Sequence, residues 1–450
     1  MAASIWSRLC NRQAQHDAAA ASMTIASEAI RAGRSKPALE ALQQATALAP
    51  KNADGWALLG WVHNDLGNAH EADAALARAL ALDPGHLEAL NTLGVIACES
   101  ADPAAAIGYF ERALALDPAN PATRYNLAQR LFFAGDYGRG FAMMRARHAA
   151  HHGRDNPLEP LAAWQGEALD GRHVFVWCDW GGLGDHLQFA RYVPLLRQRA
   201  RPARLTLGCN PACLRLFGAG LPGVDEVLLP GTVPAADVHA PLLDLPFFLD
   251  TGADTVPAAT PYLAADSVAV AAWRARLASA SAGFESSALR VGLVWATGNW
   301  NQGAGYDRVR IAKSIPAHLL AKLDCSDVSF VSLQKDGGEA PTLPMIDLTA
   351  AITDLADSAA IIANLDMVIS ADTAVAHLAG AMGKPVILLL RREGGMFWSL
   401  GEERSPWYPG MTIVRQSSSG DWLQVLDQAA QLIQARKSAG PGAMPVGDGG

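Results

Sequence analysis

The sequence predicts an α-helical repeat array followed by an α/β module of two doubly wound parallel-sheet lobes with a cleft between them. Three observations carry this. Pro50, Pro84 and Pro118 stand 34 residues apart and close the similar phrases ATALAPKN, RALALDPGH and RALALDPAN. From about Leu161, short β-branched runs alternate with helical stretches, which is the pattern of βαβ units. The small, polar stretch SASAGFESSA divides those runs into two sets and reads as the connection between lobes.

Within the repeat that runs from Ala53 to Pro84, Trp56, Leu59, Gly60, Ala72, Leu76, Ala79 and Pro84 recur at the positions of Leu90, Leu93, Gly94, Ala106, Phe110, Ala113 and Pro118 in the next. Two antiparallel helices that approach closely need small residues at the crossing and large ones around it, and a proline ends the second helix. These positions closely resemble the tetratricopeptide repeat. Weaker copies flank them, one ending at Pro50 and one using Leu127, Ala128, Leu131, Gly140 and Met144, so that four units are expected over residues 18–152. A groove of this kind implies a peptide or protein partner.

The α/β region offers seven strands: HVFVWC, RLTLGC, DEVLL, RVGLVWA, VSFVSLQ, MVIS and PVILLL. The expected lobes cover residues 161–283 and 284–437, and the Gly/Pro-rich tail 438–450 is expected to be disordered.

Composition narrows the function. A chain of 450 residues, half apolar and 18% charged, folds into several domains. The net charge of −8 and the lack of any basic run argue against nucleic acid. The six cysteines are scattered, and Cys209 and Cys213 lack a second pair at zinc-site spacing, so reduced core thiols and no metal are expected. No secretory signal or membrane-length apolar run stands in the sequence, which makes the cytoplasm the expected compartment.

Two stretches carry chemistry. After HVFVWC comes Asp179-Trp180-Gly181-Gly182-Leu183-Gly184-Asp185, where Gly182 and Gly184 allow a tight turn and close ligand approach and Asp185 falls in the first helical turn. A dinucleotide fingerprint fails because Leu187 occupies the third glycine position. The second stretch, MVISADTAVAHLAGAMGKP, ends a buried strand at Ser370 and opens a helix that Asp372 or Thr373 can cap. Thr373 and His377 lie four residues apart on one face, and a helix N-terminus flanked by a hydroxyl and an imidazole suits a diphosphate. Plainer roles stand beside these: Asp185 as a helix-dipole carboxylate, Thr373 as a cap alone, and His377 as a satisfied core histidine. A P-loop is excluded by Leu378 and Pro385.

Taken together, GLGDHLQFARY, SLQK at Ser332 to Lys335, DTAVAHLAGAMGKPV and SPWYPG at Ser405 to Gly410 resemble the heptosyltransferase-like glycosyltransferases of GT-B fold found fused to tetratricopeptide repeats in bacteria. The resemblance covers roughly Leu161 to Leu432. It implies an inverting, metal-independent transfer of a sugar from a nucleotide diphosphate sugar, as co-substrate without a further cofactor, to a hydroxyl of a glycan or protein acceptor. It also makes Asp185 the general base, a role that burial suits by raising a carboxylate's pKa. The diphosphate block maps to Asp372, Thr373 and His377, with Asp372 orienting or capping. Thr297 and Lys313 match a hydroxyl-bearing loop and a lysine before a proline-led helix, and Lys313 would neutralise the departing diphosphate. The alternative is a non-catalytic adaptor whose repeats bind a partner while the module is degenerate; nucleotide binding separates the two.

Overall fold

The computed structural model describes residues 2–99, 102–146, 158, 161–178, 181–281, 289–298 and 304–439. Asp179 and Trp180, most of the connection SASAGFESSA and the end of the tail lie outside the described residues. The chain divides into two compact units, Met1–Ala134 with Met143–His151, and Gly135–Ala142 with His152–Gly450.

The first unit is helical. Its elements are α1 (Ala2–Arg31), α2 (Ser35–Leu48), α3 (Ala53–Asp65), α4 (Ala69–Leu82), α5 (Leu87–Glu99), α6 (Pro103–Leu116) and α7 (Pro121–Phe133); α8 (Tyr137–Met144) follows and belongs to the second unit through Ala142. α2, α4 and α6 end at Leu48, Leu82 and Leu116, each two residues before one of the periodic prolines. Gly33 and Gly67, again 34 apart, take φ of +67° and +80° in the turns within their helix pairs, a conformation that a side chain would strain. Asn52, Asp102 and Asn120 cap α3, α6 and α7 through side-chain oxygens that accept first-turn N–H groups.

The crossings are as tight as the small residues require. A Cβ on Gly60 would lie 2.5 Å from Leu76 Cγ, and one on Gly94 would lie 2.5 Å from Phe110 Cε1. Phe110 is fully buried, so its ring has little room to withdraw. Replacing a mid-helix glycine by alanine ordinarily stabilises by about 1 kcal/mol, but overpacking costs about 1–3 kcal/mol. Gly94→Ala is therefore expected to lower the urea midpoint, and an unchanged or raised midpoint would show that the crossing has slack.

In the second unit the strands form two parallel sheets. β1 (Ala162–Ala163), β2 (His173–Trp177), β3 (Arg204–Gly208), β4 (Glu226–Leu228) and β5 (Val238–Pro241) make a sheet of order β1-β5-β2-β3-β4. β6 (Leu289–Val294), β7 (Val328–Ser332), β8 (Ile346–Asp347), β9 (Met367–Ala371), β10 (Val386–Leu390) and β11 (Met411–Arg415) make the other, of order β11-β10-β9-β6-β7-β8. The helices are α9 (Leu183–Phe189), α10 (Tyr192–Ala200), α11 (Leu214–Gly220), α12 (Leu245–Phe248), α13 (Ser267–Ala280), α14 (Ala304–Lys313), α15 (Leu355–Ala363), α16 (Ala374–Ala381) and α17 (Trp422–Ala439). All five residues of β9 and of β10 are buried, as in a parallel sheet covered on both faces.

Each sheet is doubly wound and so has a place where the strand order reverses. In the first this is between β2 and β5, in the second between β6 and β9. Ligands of open α/β sheets bind beyond the carboxyl ends of the strands at such a point.

One detail corrects the sequence reading and others add to it. α17 continues through Ala439, so Ser438 is helical rather than the start of a disordered tail, and residues 440–450 lie outside the described residues. α13, read as part of the first lobe, packs on α15 of the second: Asn364 Nδ2 donates to the Val270 carbonyl at 3.0 Å and Arg274 Nε donates to Asn364 Oδ1 at 3.0 Å. Arg215 of α11 joins the lobes again, donating to both carboxylate oxygens of Asp354 at 2.5 and 2.6 Å. Among the described residues no helix is long and apolar enough to cross a membrane, and Cys209, Cys213 and Cys325 are thiols outside any disulfide.

Candidate active site

The two switch points deliver the site. β2 runs out toward Gly181, which takes φ of +91° and lies under the Asp185 carboxylate: a Cβ there would come within 2.7 Å of Oδ2. Gly182 caps α9, and its N–H donates to Asp185 Oδ2 at 2.7 Å, fixing the carboxylate over the turn. Burial pushes Asp185 up from the ordinary carboxylate range. The negative charge of Asp372 adds to this, while the Gly182 N–H, His186 and Lys313 oppose it.

From the second sheet, β9 leads to Asp372 and β6 leads toward α14, which ends at Lys313. Lys313 Nζ lies 2.7 Å from Asp372 Oδ2, with both side chains largely covered (22% and 15% exposed). The indole N–H of Trp398 donates to Asp372 Oδ1 at 3.0 Å. Burial on its own would raise Asp372, but the Lys313 ammonium, with His377 and Trp398, outweighs it and holds the carboxyl at about 2. Asp372 thus orients the lysine and caps nothing.

Thr373 occupies the N-cap of α16 in extended backbone, yet makes no side-chain hydrogen bond to the first-turn amides. Its hydroxyl lies 3.0 Å from Ser370 Oγ instead. The end of α16 therefore keeps first-turn N–H groups without a side-chain cap, beside a lysine.

His377 differs from the expected ligand on the helix face. It is 7% exposed, its Nδ1 pairs with Tyr408 Oη at 3.0 Å, and its ring stacks on Trp398 at 5.2 Å. Burial, helped by Arg191 and Lys313 and opposed by Asp372, lowers it to about 4, so it is neutral at neutral pH. Gly184 belongs to the same contact: α9 packs on α16, and a Cβ on Gly184 would fall 2.9 Å from His377 Cδ2. The glycine serves the approach of the lobes. Thr297 is also turned inward, 5% exposed, with its hydroxyl donating to the Arg310 carbonyl at 3.4 Å and its N–H to Ser314 Oγ at 3.2 Å.

Several residues of the site were not assigned from sequence. Arg191, 3% exposed, donates to the carbonyls of Gln188 (2.8 Å), Trp407 (2.6 Å) and Pro257 (3.1 Å) and to Tyr262 Oη (3.1 Å). It lies over the rings of Tyr408 and Tyr262 at 4.5 and 4.7 Å. Arg415 donates to the carbonyls of Gly394 and Trp398, both at 2.7 Å, which places the Trp398 indole against Asp372. The motifs GLGDHLQFARY and SPWYPG contain Arg191 and Tyr408, and that was the only signal for them.

Comparison with known proteins agrees with both halves of the chain. A tetratricopeptide repeat model matches residues 23–86 and 65–121, and the model of glycosyltransferase family 9 (heptosyltransferase) matches residues 341–419, which include Asp372, Thr373 and His377 of the second lobe. The chain thus resembles each of these two families over part of its length. Protein FlbA of Caulobacter vibrioides is 27% identical over 300 residues, which cover 61% of this chain and 48% of FlbA. The chain thus spans about half the length of this curated relative. A glycosyl transferase family 9 structure from Veillonella parvula shares 12% identity at a TM-score of 0.43, covering 61% of this chain and 99% of its own. MamA residues 41 to end from Desulfovibrio magneticus share 19% identity at a TM-score of 0.26, covering 30% of this chain and 76% of their own.

Proposed function

We propose that the heptosyltransferase-like module transfers a sugar from a nucleotide diphosphate sugar to a hydroxyl of a glycan or protein acceptor, with inversion and without a metal. One observation carries this reading. α9, whose first turn carries Asp185 at the switch point of one sheet, packs on α16, which follows Asp372 and its Lys313 partner at the switch point of the other. On this reading a base faces an anion site across the cleft.

In this mechanism the acceptor hydroxyl gives its proton to Asp185 as its oxygen bonds to the anomeric carbon. The bond from that carbon to the diphosphate oxygen breaks on the opposite face, which inverts the configuration. Negative charge grows on the leaving diphosphate, where Lys313 and the open N–H groups of α16 stabilise it. Asp372 holds the lysine in place, and Thr373 adds a hydroxyl at the same helix end. His377, being neutral and buried, supports the geometry.

The first test is a thermal-shift screen with ADP-, UDP-, GDP- and dTDP-sugars. One nucleotide family is expected to stabilise the chain. Loss of a charge-assisted contact in Lys313→Ala should weaken that binding by about 10- to 100-fold, with a smaller loss in Thr373→Ala. If no nucleotide shifts the melting temperature, the transferase reading fails and the adaptor reading takes its place.

The pH dependence follows from Asp185. A base works only when deprotonated, so kcat/KM should rise with pH through a midpoint above the ordinary carboxylate range, because the folded value is raised. A pH–rate profile whose acid limb falls near that of a free aspartate would remove Asp185 from this role.

A further inference from the structure

The aromatic core beside the site is closed by a segment that lies outside the heptosyltransferase resemblance. α8 spans Tyr137–Met144, and Tyr137 and Phe141, four residues apart, share one face. Both are 2% exposed and lie in the second unit. The Phe141 ring meets Phe189 edge-on at 5.9 Å, stacks on Phe397 at 6.4 Å and meets Trp407 edge-on at 6.4 Å. Tyr137 meets Trp407 edge-on at 5.3 Å, and its hydroxyl pairs with Ser399 Oγ at 3.1 Å.

Each of these partners belongs to a different part of the site. Phe189 ends the helix whose first turn carries Asp185. Phe397 precedes Trp398, whose indole N–H holds Asp372. Trp407 supplies a carbonyl to Arg191 and precedes Tyr408, the partner of His377. Phe189, Phe397 and Trp407 also touch one another, with centroids 5.2 to 6.0 Å apart. Without Phe141 the three would surround a void.

We propose that Tyr137 and Phe141 are positioning residues of the transferase site, setting the distance between the Asp185 helix and the loop that holds Asp372. The proposal rests on the transferase reading above. Because aromatic rings in a close-packed core transmit displacement, removal of the wedge lets α9 and the 397–408 loop move separately. A displacement of about 1 Å at a reacting centre can cost about 100-fold in rate.

The test uses the full chain with Phe141→Ala, Phe141→Leu and Tyr137→Phe, the last of which removes only the hydroxyl. In Phe141→Ala, kcat is expected to fall by about 10- to 100-fold with KM for the nucleotide sugar little changed. The acid limb of its pH profile should move toward the ordinary carboxylate range, as Asp185 becomes less buried. Phe141→Leu should recover most of both, and Tyr137→Phe should show a smaller fall in kcat with wild-type folding. A side chain that only stabilised the fold would lower the folded fraction and leave that limb where it was, which would overturn the proposal.

Hydrogen exchange supplies a readout that does not need turnover. Joint loss of protection in residues 183–189 and 397–408 of Phe141→Ala supports positioning, and loss confined to α8 overturns it. If the wild-type chain binds no nucleotide, the transferase reading falls on that result alone, and exchange still decides what α8 does to these two segments.

Discussion

Asp185→Asn is expected to reduce turnover by about 10²- to 10⁴-fold while nucleotide-diphosphate binding stays close to that of the wild type. The amide keeps the size of the carboxylate and an oxygen to accept the Gly182 N–H, but it cannot take a proton from the acceptor. The same substitution should make the protein more stable at neutral pH. Because the folded value of Asp185 is raised, the folded state holds this proton more firmly than the unfolded chain does. Its contribution to stability therefore falls as pH climbs from the ordinary carboxylate value through the folded value. Above that window the ionised carboxylate is a standing cost, which the amide removes. Melting curves at pH 7 and near pH 4 should show the stabilisation at the higher pH only. Retained activity would rule out the base assignment, and retained activity with no stabilisation would also rule out burial of the charge.

Arg191→Met is expected to cause the largest loss of stability among substitutions around the site. Among the described residues the guanidinium is held by three carbonyls, a tyrosine hydroxyl and aromatic faces rather than by a carboxylate. Methionine fills part of the volume but leaves those buried oxygens without a donor, at about 1–3 kcal/mol for each that finds no substitute. A total of about 3 kcal/mol or more corresponds to a fall on the order of 6 °C in Tm. Arg191→Lys should recover little, because one ammonium cannot reproduce a planar fork reaching several acceptors. Calorimetry checks this directly, and a Tm within about 1 °C of wild type would show that water replaces the lost donors.

The parts of the fold that were legible in the sequence are those fixed by local pattern. The 34-residue proline period gave the ends of α2, α4 and α6, because chain termination by proline needs no tertiary context. All seven expected strands are present, and those buried on both faces, such as β9 and β10, advertise themselves as continuous apolar runs. β1 and β8, of two residues each, carry no pattern at all, and β5, Val238–Pro241, ends in a proline that argues against a strand. β11, MTIVR, has the composition of a strand but follows a turn-rich stretch that hid it.

The site divides in the same way. Lys313 and Asp372 meet as an ion pair, Asp372 directly after β9 and Lys313 at the end of the helix that follows β6, while Asp185 opens the helix that follows β2. The roles of Thr297, His377 and Gly184 were less legible. Their side chains or Cα atoms are used between elements distant in sequence: Thr297 against α14, His377 against Tyr408, and Gly184 against His377 itself. Arg191 was missed for a related reason. Its four acceptors come from three separate stretches of chain, and only one of them is local.

The Lys313–Asp372 pair also bears on which anions the site admits. A lysine already neutralised at 2.7 Å offers little to a lone phosphate, which would have to displace a carboxylate of comparable charge in order to gain one ammonium. A diphosphate can engage the open end of α16 and the lysine together, and spread its charge over both. On the transferase reading, the ion pair therefore acts as a filter: inorganic phosphate at cellular concentrations is rejected, and the nucleotide diphosphate is admitted because it reaches two positive ends of the protein at once.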